Sequence, residues 1–201
     1  GRRGGGGILL DGGAEANLVG ACEMSNNTVK SGIGGHVRVA ASTLTVHGAS
    51  STNVVLTALK PIFNELTDLN PAFNTSANSV SRKGTTMSSG KALSGGGIFC
   101  SSAEFPDLGV RLGPGTTISE SVAMGSGRND GGGAIGALLC DVSLVGVHLT
   151  KNSATGNNGG AVLLGGGATM YATKGTTQAD NRAQIFGGAI SFDGCARLQL
   201  A

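Results

Sequence analysis

Pairs of glycines followed by small or β-branched residues recur along the chain and constrain its fold more than any other feature. They read GGI, GGHV, GGI, GGAI, GGAV and GGAI, with the second glycine at positions 7, 35, 97, 133, 160 and 188. The gaps are 28, 62, 36, 27 and 28 residues, and the longest is predicted to hold two repeats, with Pro61 replacing a glycine. A period of this length is typical of a solenoid. The pairs predicted to fix the repeat are Gly34 and Gly35, Gly96 and Gly97, Gly132 and Gly133, Gly159 and Gly160, and Gly187 and Gly188.

The residues that follow the glycines repeat in the same register. At equal distances from their glycine pairs the chain reads AEANLVG from Ala14 to Gly20 and CDVSLVG from Cys140 to Gly146. Alternation of apolar and polar residues over such a stretch predicts a β-strand. No segment has a clear helical period, so each repeat is predicted to hold two or three short strands separated by turns.

A second shared motif precedes the glycines. The sequences MSNN and LTKN end at Asn27 and Asn152, each seven residues before its glycine pair. Asparagine amides both donate and accept hydrogen bonds, so equivalent asparagines in stacked coils can form a ladder within the turns. Asn27 and Asn152 are therefore predicted to be structural residues of the repeat.

Composition agrees with a stack of thin coils. The chain has 37 glycines, one tyrosine and no tryptophan, yet 39% of it is hydrophobic. It is too apolar for a disordered linker and too poor in large side chains for a conventional core. We therefore predict an all-β fold, a right-handed parallel β-helix (solenoid) of about seven coils of 26–36 residues. Residues 1–201 are expected to form one segment excerpted from a longer repetitive chain, with longer loops within 61–95 and 101–130.

The repeats resemble those of the chlamydial polymorphic membrane proteins and related β-helical adhesins, which pair a GGAI-like motif with an upstream Phe-x-x-Asn. GGAI stands at residues 132–135 and 187–190, and GGAV at 159–162. At the Phe position this chain has Met24, Leu149 or Thr177. The resemblance implies a surface-exposed module involved in adhesion.

The leading functional hypothesis is a non-enzymatic structural or adhesive module, located at the cell surface or outside the cell. It would act as a rigid spacer that contacts partners through its side wall and loops. The expected partners are other β-helix coils of the same chain or identical subunits, as in a fibre, and a host or cell-surface ligand. The 14 basic and 12 acidic residues form no stripe for nucleic acid, and no apolar run approaches the ~20 residues of a membrane span. No cofactor is expected.

The alternative is a carbohydrate-active β-helix enzyme, either a polysaccharide lyase or a glycoside hydrolase. Such chemistry needs convergent carboxylates. With a coil through Pro61, Asp68 and Glu104 fall in one column of neighbouring coils, and Asp107 follows; paired carboxylates of this kind could also bind Ca²⁺. Loop acids facing solvent are the simpler interpretation. Glu15 and Asp141 share another column, but at four coils apart they are too distant for catalysis.

The third hypothesis is an ice-binding β-helix, because Gly-Thr-Thr recurs at Thr85, Thr116 and Thr176. Val147-His148 and Ala21-Cys22 interrupt this column, and the coil length varies. A regular face that matches ice is therefore disfavoured.

Histidine and cysteine positions do not define a site. The three histidines, at 36, 47 and 148, fall at different offsets, which argues against a shared metal ion. The cysteines at 22, 100, 140 and 195 allow three pairings on paper. Cys140 and Cys195 share an offset but lie about 10 Å apart along the stack, beyond disulfide reach. Burial of cysteine as a small apolar residue is the simpler interpretation.

Two sequons complete the candidate sites. Asn26 and Asn74 each begin an Asn-x-Thr/Ser sequence. Such sequences accept N-linked glycans in secreted eukaryotic proteins, so both are candidates for glycosylation.

Overall fold

The chain folds, in a computed structural model, into the parallel β-solenoid that the periodic glycines predict. The structure describes residues 5–47, 84–102, 109–173 and 175–201. Within these ranges all regular structure is β-strand, and every pairing between strands is parallel. In chain order the strands are β1 (Ile8–Asp11), β2 (Glu15–Val19), β3 (Glu23–Ser25), β4 (Val37–Ala40), β5 (Thr43–His47), β6 (Thr86–Ser88), β7 (Lys91–Ala92), β8 (Ile98–Ser101), β9 (Gly109–Leu112), β10 (Thr117–Ser119), β11 (Val122–Ala123), β12 (Ile135–Leu138), β13 (Asp141–Leu144), β14 (His148–Thr150), β15 (Ser153–Ala154), β16 (Val162–Gly165), β17 (Thr169–Ala172), β18 (Thr177–Ala179), β19 (Arg182–Ala183), β20 (Ile190–Asp193) and β21 (Arg197–Leu200).

The strands form four side walls. Wall A has the order β1-β4-β8-β12-β16-β20, and wall B has the order β2-β5-β9-β13-β17-β21. Wall C has the order β3-β6-β10-β14-β18, and wall D has the order β7-β11-β15-β19. The six rungs of walls A and B correspond to five turns, a rod about 24 Å long at the usual spacing between strands.

The prediction of seven coils, one of them through Pro61, is wrong. Strand β4 pairs directly with β8, with Val37 beside Ile98, so no coil lies between them. Strand β6 pairs with β3, which places β6 in the same coil as β4 and β5. The longest gap between glycine pairs is therefore one coil with an insertion between walls B and C. Within the predicted loop regions 61–95 and 101–130, the described residues include five wall strands, β6, β7, β9, β10 and β11.

The two glycines of each pair have different roles. The first takes a positive φ at the corner before wall A, +72° at Gly34 and +66° at Gly132. The second lies against the backbone of the next coil: a Cβ at Gly133 would be 2.3 Å from the carbonyl oxygen of Gly160. Only glycine satisfies both demands. Because Ile98 aligns with Ile135, Gly97 occupies the position of Ala134, and the pair in this coil is shifted by one residue from the prediction.

The core is a narrow stack of aliphatic side chains between the walls. Buried side chains of wall A face those of walls B and C, and removing them from water is the main force that holds the coils together. The inward column at the start of wall A contains Ile8, Val37, Ile98, Ile135, Val162 and Ile190.

Asparagine ladders tie the coils together at the corner between walls C and D. The Nδ2 atom of Asn152 donates to the Ile118 carbonyl at 3.0 Å, and its Oδ1 accepts a hydrogen bond from the backbone N–H of Ser121 at 3.0 Å. The Asn181 Oδ1 atom accepts a hydrogen bond from the backbone N–H of Asn152 at 2.9 Å, and its Nδ2 donates to the Leu149 carbonyl at 2.9 Å. Buried backbone groups at this corner are thereby satisfied.

A disulfide joins Cys100 of β8 to Cys140, the residue before β13, with their Cα atoms 6.0 Å apart. The interpretation of these two cysteines as stacked apolar residues is therefore wrong. The strand register explains the pair. Cys100 lies beside Ala137 of the next coil, and Cys140 stands three residues after Ala137, where that coil turns the corner. The bond thus links a wall to the adjacent corner rather than two residues of one column. Cys22 and Cys195 are free thiols.

Candidate functional site

A groove on the outer face of wall B is the candidate functional site. It has a volume of about 160 Å³. The side chains at its rim come from two outward columns, one containing Gly109 and Asp141, the other Arg111, Ser143 and Tyr171. The full lining is Gly109, Val110, Arg111, Asp141, Val142, Ser143 and Tyr171.

The recess exists because Gly109 has no side chain. A Cβ at this position would lie 2.1 Å from the backbone carbonyl oxygen of Asp141. Because that atom is backbone, it cannot swing away to admit a larger residue. The gap in the column is therefore built into the wall, and the side chains around it frame an indentation rather than a flat surface.

The groove offers several kinds of contact within a small area. Arg111 and Asp141 are exposed, and Tyr171 is 42% exposed. A guanidinium donates hydrogen bonds, a carboxylate accepts them, and the Ser143 hydroxyl does both. An exposed tyrosine ring adds an apolar face with a polar edge. This combination suits a ligand that presents several hydroxyl groups around a ring with an apolar face.

The predicted carboxylate site, Asp68 with Glu104 and Asp107, lies outside the described residues. The register on which the column of Asp68 and Glu104 depended is nevertheless wrong, because β4 pairs directly with β8 and β9 begins only at Gly109. In the described ranges, no three His, Cys, Asp or Glu side chains are close enough to hold a metal ion.

Glu15 and Asp141 do share a column of wall B, through Thr43 and Gly109. They are three rungs apart rather than the predicted four, because β5 pairs directly with β9. The separation is about 14 Å, still too long for a catalytic pair.

The threonines singled out for an ice-binding face do not form one. Thr85 and Thr116 are fully buried, and they point into the solenoid because their neighbours Thr86 and Thr117 face outward. The outer column of wall C contains Glu23, Thr86, Thr117, His148 and Thr177, so a carboxylate and an imidazole interrupt its hydroxyls.

The three histidines lie apart, as their offsets predict. His47 approaches the Asn17 side-chain oxygen at 3.3 Å on wall B, and His148 contacts the Thr177 hydroxyl at 2.8 Å on wall C. His36 is fully buried at the corner before wall A, where its Nδ1 accepts a hydrogen bond from Asn27 at 2.9 Å. Its ring fills the space left by the missing side chain of Gly90.

Stability is expected to depend on pH through His36. Desolvation by burial lowers the pKa of His36, and an interaction with the Ser88 backbone offsets part of the effect. The folded protein then binds fewer protons than the unfolded chain below the ordinary pKa of about 6.5. The free energy of unfolding should therefore be highest above this pH and fall as the pH drops through it toward the lowered pKa.

Urea unfolding across this pH range tests the role of His36. The matched variant is His36→Ala, since alanine occupies the same position at Ala134 and Ala161. It should remove most of the pH dependence between about pH 7 and pH 5.5. If the free energy of unfolding of His36→Ala depends on pH as strongly as that of the unaltered chain, the effect belongs to other groups.

Asn26 lies exposed at the turn after β3, with a φ of +55°, whereas Asn74 is outside the described residues. Glycosylation at both sequons stays a prediction. The groove residues Arg111 and Tyr171 are not among the predicted site residues, because glycine spacing does not show that Gly109 lies in the column of Glu15 and that Arg111 therefore faces outward beside Ser143. Correct placement of β9 would have revealed the outward column.

Comparison with protein-family models, curated proteins and solved structures finds no match to this chain. The resemblance to the chlamydial repeats therefore stays a prediction. In the described part of the chain there is no helix of the length and apolarity that a membrane crossing requires.

Proposed function

We propose that this chain is a non-catalytic structural and adhesive module, a rigid solenoid that stacks on further β-coils and contacts partners through its side walls. The observation that carries the proposal is the exposed apolar end of the stack. Large apolar side chains are exposed in the last coil: Ile185, Phe186, Phe192 and Leu200, at 54%, 70%, 47% and 74%.

Two inward columns of the core reach the exposed face formed by β20 and β21. Phe192 continues the inward column of Leu164, and Leu200 continues that of Ala172. Among the described strands, β20 pairs only with β16 and β21 only with β17, so their other edges are open. Open parallel edges beside apolar columns are templates for further strands. A β-coil, from this polypeptide or from an identical subunit, fits both features.

Self-association in solution measures stacking between identical subunits directly. Sedimentation equilibrium of the chain should show reversible association at high protein concentration. The double variant Phe192→Lys with Leu200→Lys should be monomeric, because charge on an open edge opposes pairing. The control is Val145→Lys, which alters an apolar residue that is 38% exposed on the side of the stack and should leave association unchanged. A chain that stays monomeric at every concentration would contradict the stacking.

The Cys100–Cys140 disulfide supports an extracellular or cell-surface location, since disulfides persist in oxidising compartments.

The side walls support a role in contacting partners, because their outward-facing side chains stand in columns of fixed spacing. The groove on wall B adds a recess to these columns. Ligand contact by a rigid wall needs no ordering of the protein, which favours affinity.

A further inference from the structure

We propose that the groove on wall B binds a neutral, extended, β-linked glycan. This inference rests on the proposed function, since it names the ligand that the side wall would contact. The ligand would lie across the rungs, along the column that contains Arg111, Ser143 and Tyr171.

The direction of the groove sets the shape of the ligand. Its rim residues lie on three successive rungs, β9, β13 and β17, which repeat at about 4.8 Å. This spacing is comparable to the length of one sugar ring. A ribbon of β-linked hexoses presents successive rings in a straight line, so neighbouring rings can meet neighbouring rungs. A coiled or branched glycan would leave the column after one contact.

The side chains set the chemistry of the ligand. Tyr171 offers an exposed aromatic face to the apolar side of a sugar ring. Arg111 and Asp141 donate to and accept from ring hydroxyls, and the recess at Gly109 admits one substituent. The guanidinium and the carboxylate lie on adjacent rungs with opposite charges. The two charges offset each other, so the groove has no net positive charge that would select an acidic sugar, and a neutral sugar suits this pair.

Binding rather than cleavage is the expected activity of this groove. Glycosidases use two carboxyl groups about 5–9.5 Å apart. Asp141 is the one carboxylate in the described lining of the groove.

The protein contains its own reporter for this site. Tyr171 is the only tyrosine and there is no tryptophan, so the intrinsic fluorescence above that of phenylalanine arises from the groove alone. Titration with cellohexaose should change this emission in a saturable way. A hexamer of galacturonic acid, which has a comparable length and carries negative charge, should bind at least about tenfold more weakly. Tighter binding of the acidic hexamer would overturn the proposed ligand class.

Calorimetry with variants locates the site. Tyr171→Ala should weaken cellohexaose binding about tenfold through loss of the ring, whereas Tyr171→Phe, which keeps the ring, should stay within about threefold. The control is His148→Ala, an exposed aromatic residue on wall C, which should bind as the unaltered chain does. Circular dichroism of each variant shows whether the fold is retained.

The outcomes separate this inference from the proposed function. Absence of binding, or binding that Tyr171→Ala leaves unchanged, would overturn the glycan site while the self-association result stands independently. Chromatography of the hexamer after incubation tests catalysis. Shortened products would overturn the non-catalytic part of the proposed function, whereas an intact hexamer supports it.

Discussion

Gly133→Ala is expected to lower the free energy of unfolding by about 4 kcal/mol, the range of severe core disruption. Its Cβ would lie 2.3 Å from the Gly160 carbonyl oxygen and 2.4 Å from the Ser153 amide nitrogen. Both atoms are backbone, and the Ser153 amide donates to the Ser121 carbonyl of the adjacent coil, so the clash must separate two coils. Urea unfolding followed by far-UV circular dichroism measures the loss.

Gly12→Ala is the matched control for this substitution. Gly12 has a φ of +65°, but a Cβ there meets no atom within 4 Å. The variant isolates the cost of a side chain in the left-handed region, about 1 kcal/mol. Equal losses in the two variants would show that close approach of the coils is not what requires glycine at the second position of the pair.

Removal of the disulfide is the second change with a large expected effect. Cys100 and Cys140 are separated by 40 residues, and closing a loop of this size stabilises the fold by about 3–4 kcal/mol in the chain-entropy description. The double variant Cys100→Ala with Cys140→Ala should lose most of this amount in urea unfolding. Reduction with dithiothreitol should have a similar effect on the unaltered chain.

The free cysteines provide the control for the disulfide. Cys22 is half-buried and Cys195 is exposed, and neither is bonded. The double variant Cys22→Ser with Cys195→Ser should stay within about 0.5 kcal/mol of the unaltered chain. Non-reducing peptide mapping should recover Cys100 and Cys140 in one linked pair, and recovery of four free thiols would contradict the bond.

Much of the fold could be predicted from the sequence because the same physical demand recurs in every coil. Close backbone approach requires glycine, and the inward column requires a β-branched or aliphatic residue. For this reason the Leu-Val-Gly runs near Leu18 and Leu144 do occupy equivalent rungs, as their spacing predicts. The parallel solenoid follows from this repetition alone.

The count of coils could not be predicted, because glycine spacing does not distinguish an extra coil from an insertion. Strand pairing decides the question, and pairing is a long-range property of the folded chain. The one-residue shift at Gly97 has a similar cause. In the run GGGI three successive glycines are indistinguishable in sequence, and only the partner of Ile98 shows which of them replaces alanine.

The candidate site was hidden for a related reason. Strand β8 ends at Ser101 and β9 begins at Gly109, whereas β13 begins three residues after β12 ends, so spacing alone does not align Arg111 with Ser143 and Tyr171. Comparison of equivalent positions within one column does not predict the disulfide, because Cys100 and Cys140 meet between a wall and a corner.

The most direct test of the five-turn register is disulfide trapping across the insertion. Ser25 and Ser88 are outward-facing partners on adjacent rungs of wall C, whereas Ser25 and Ser119 are two rungs apart. Cysteines are placed at each pair of positions in the Cys22→Ser, Cys195→Ser background, and the products are mapped under non-reducing conditions. The register predicts a bond between positions 25 and 88 and none between 25 and 119. A chain that fails to join 25 to 88 while keeping its circular dichroism spectrum would place a further coil between them and contradict the five-turn solenoid.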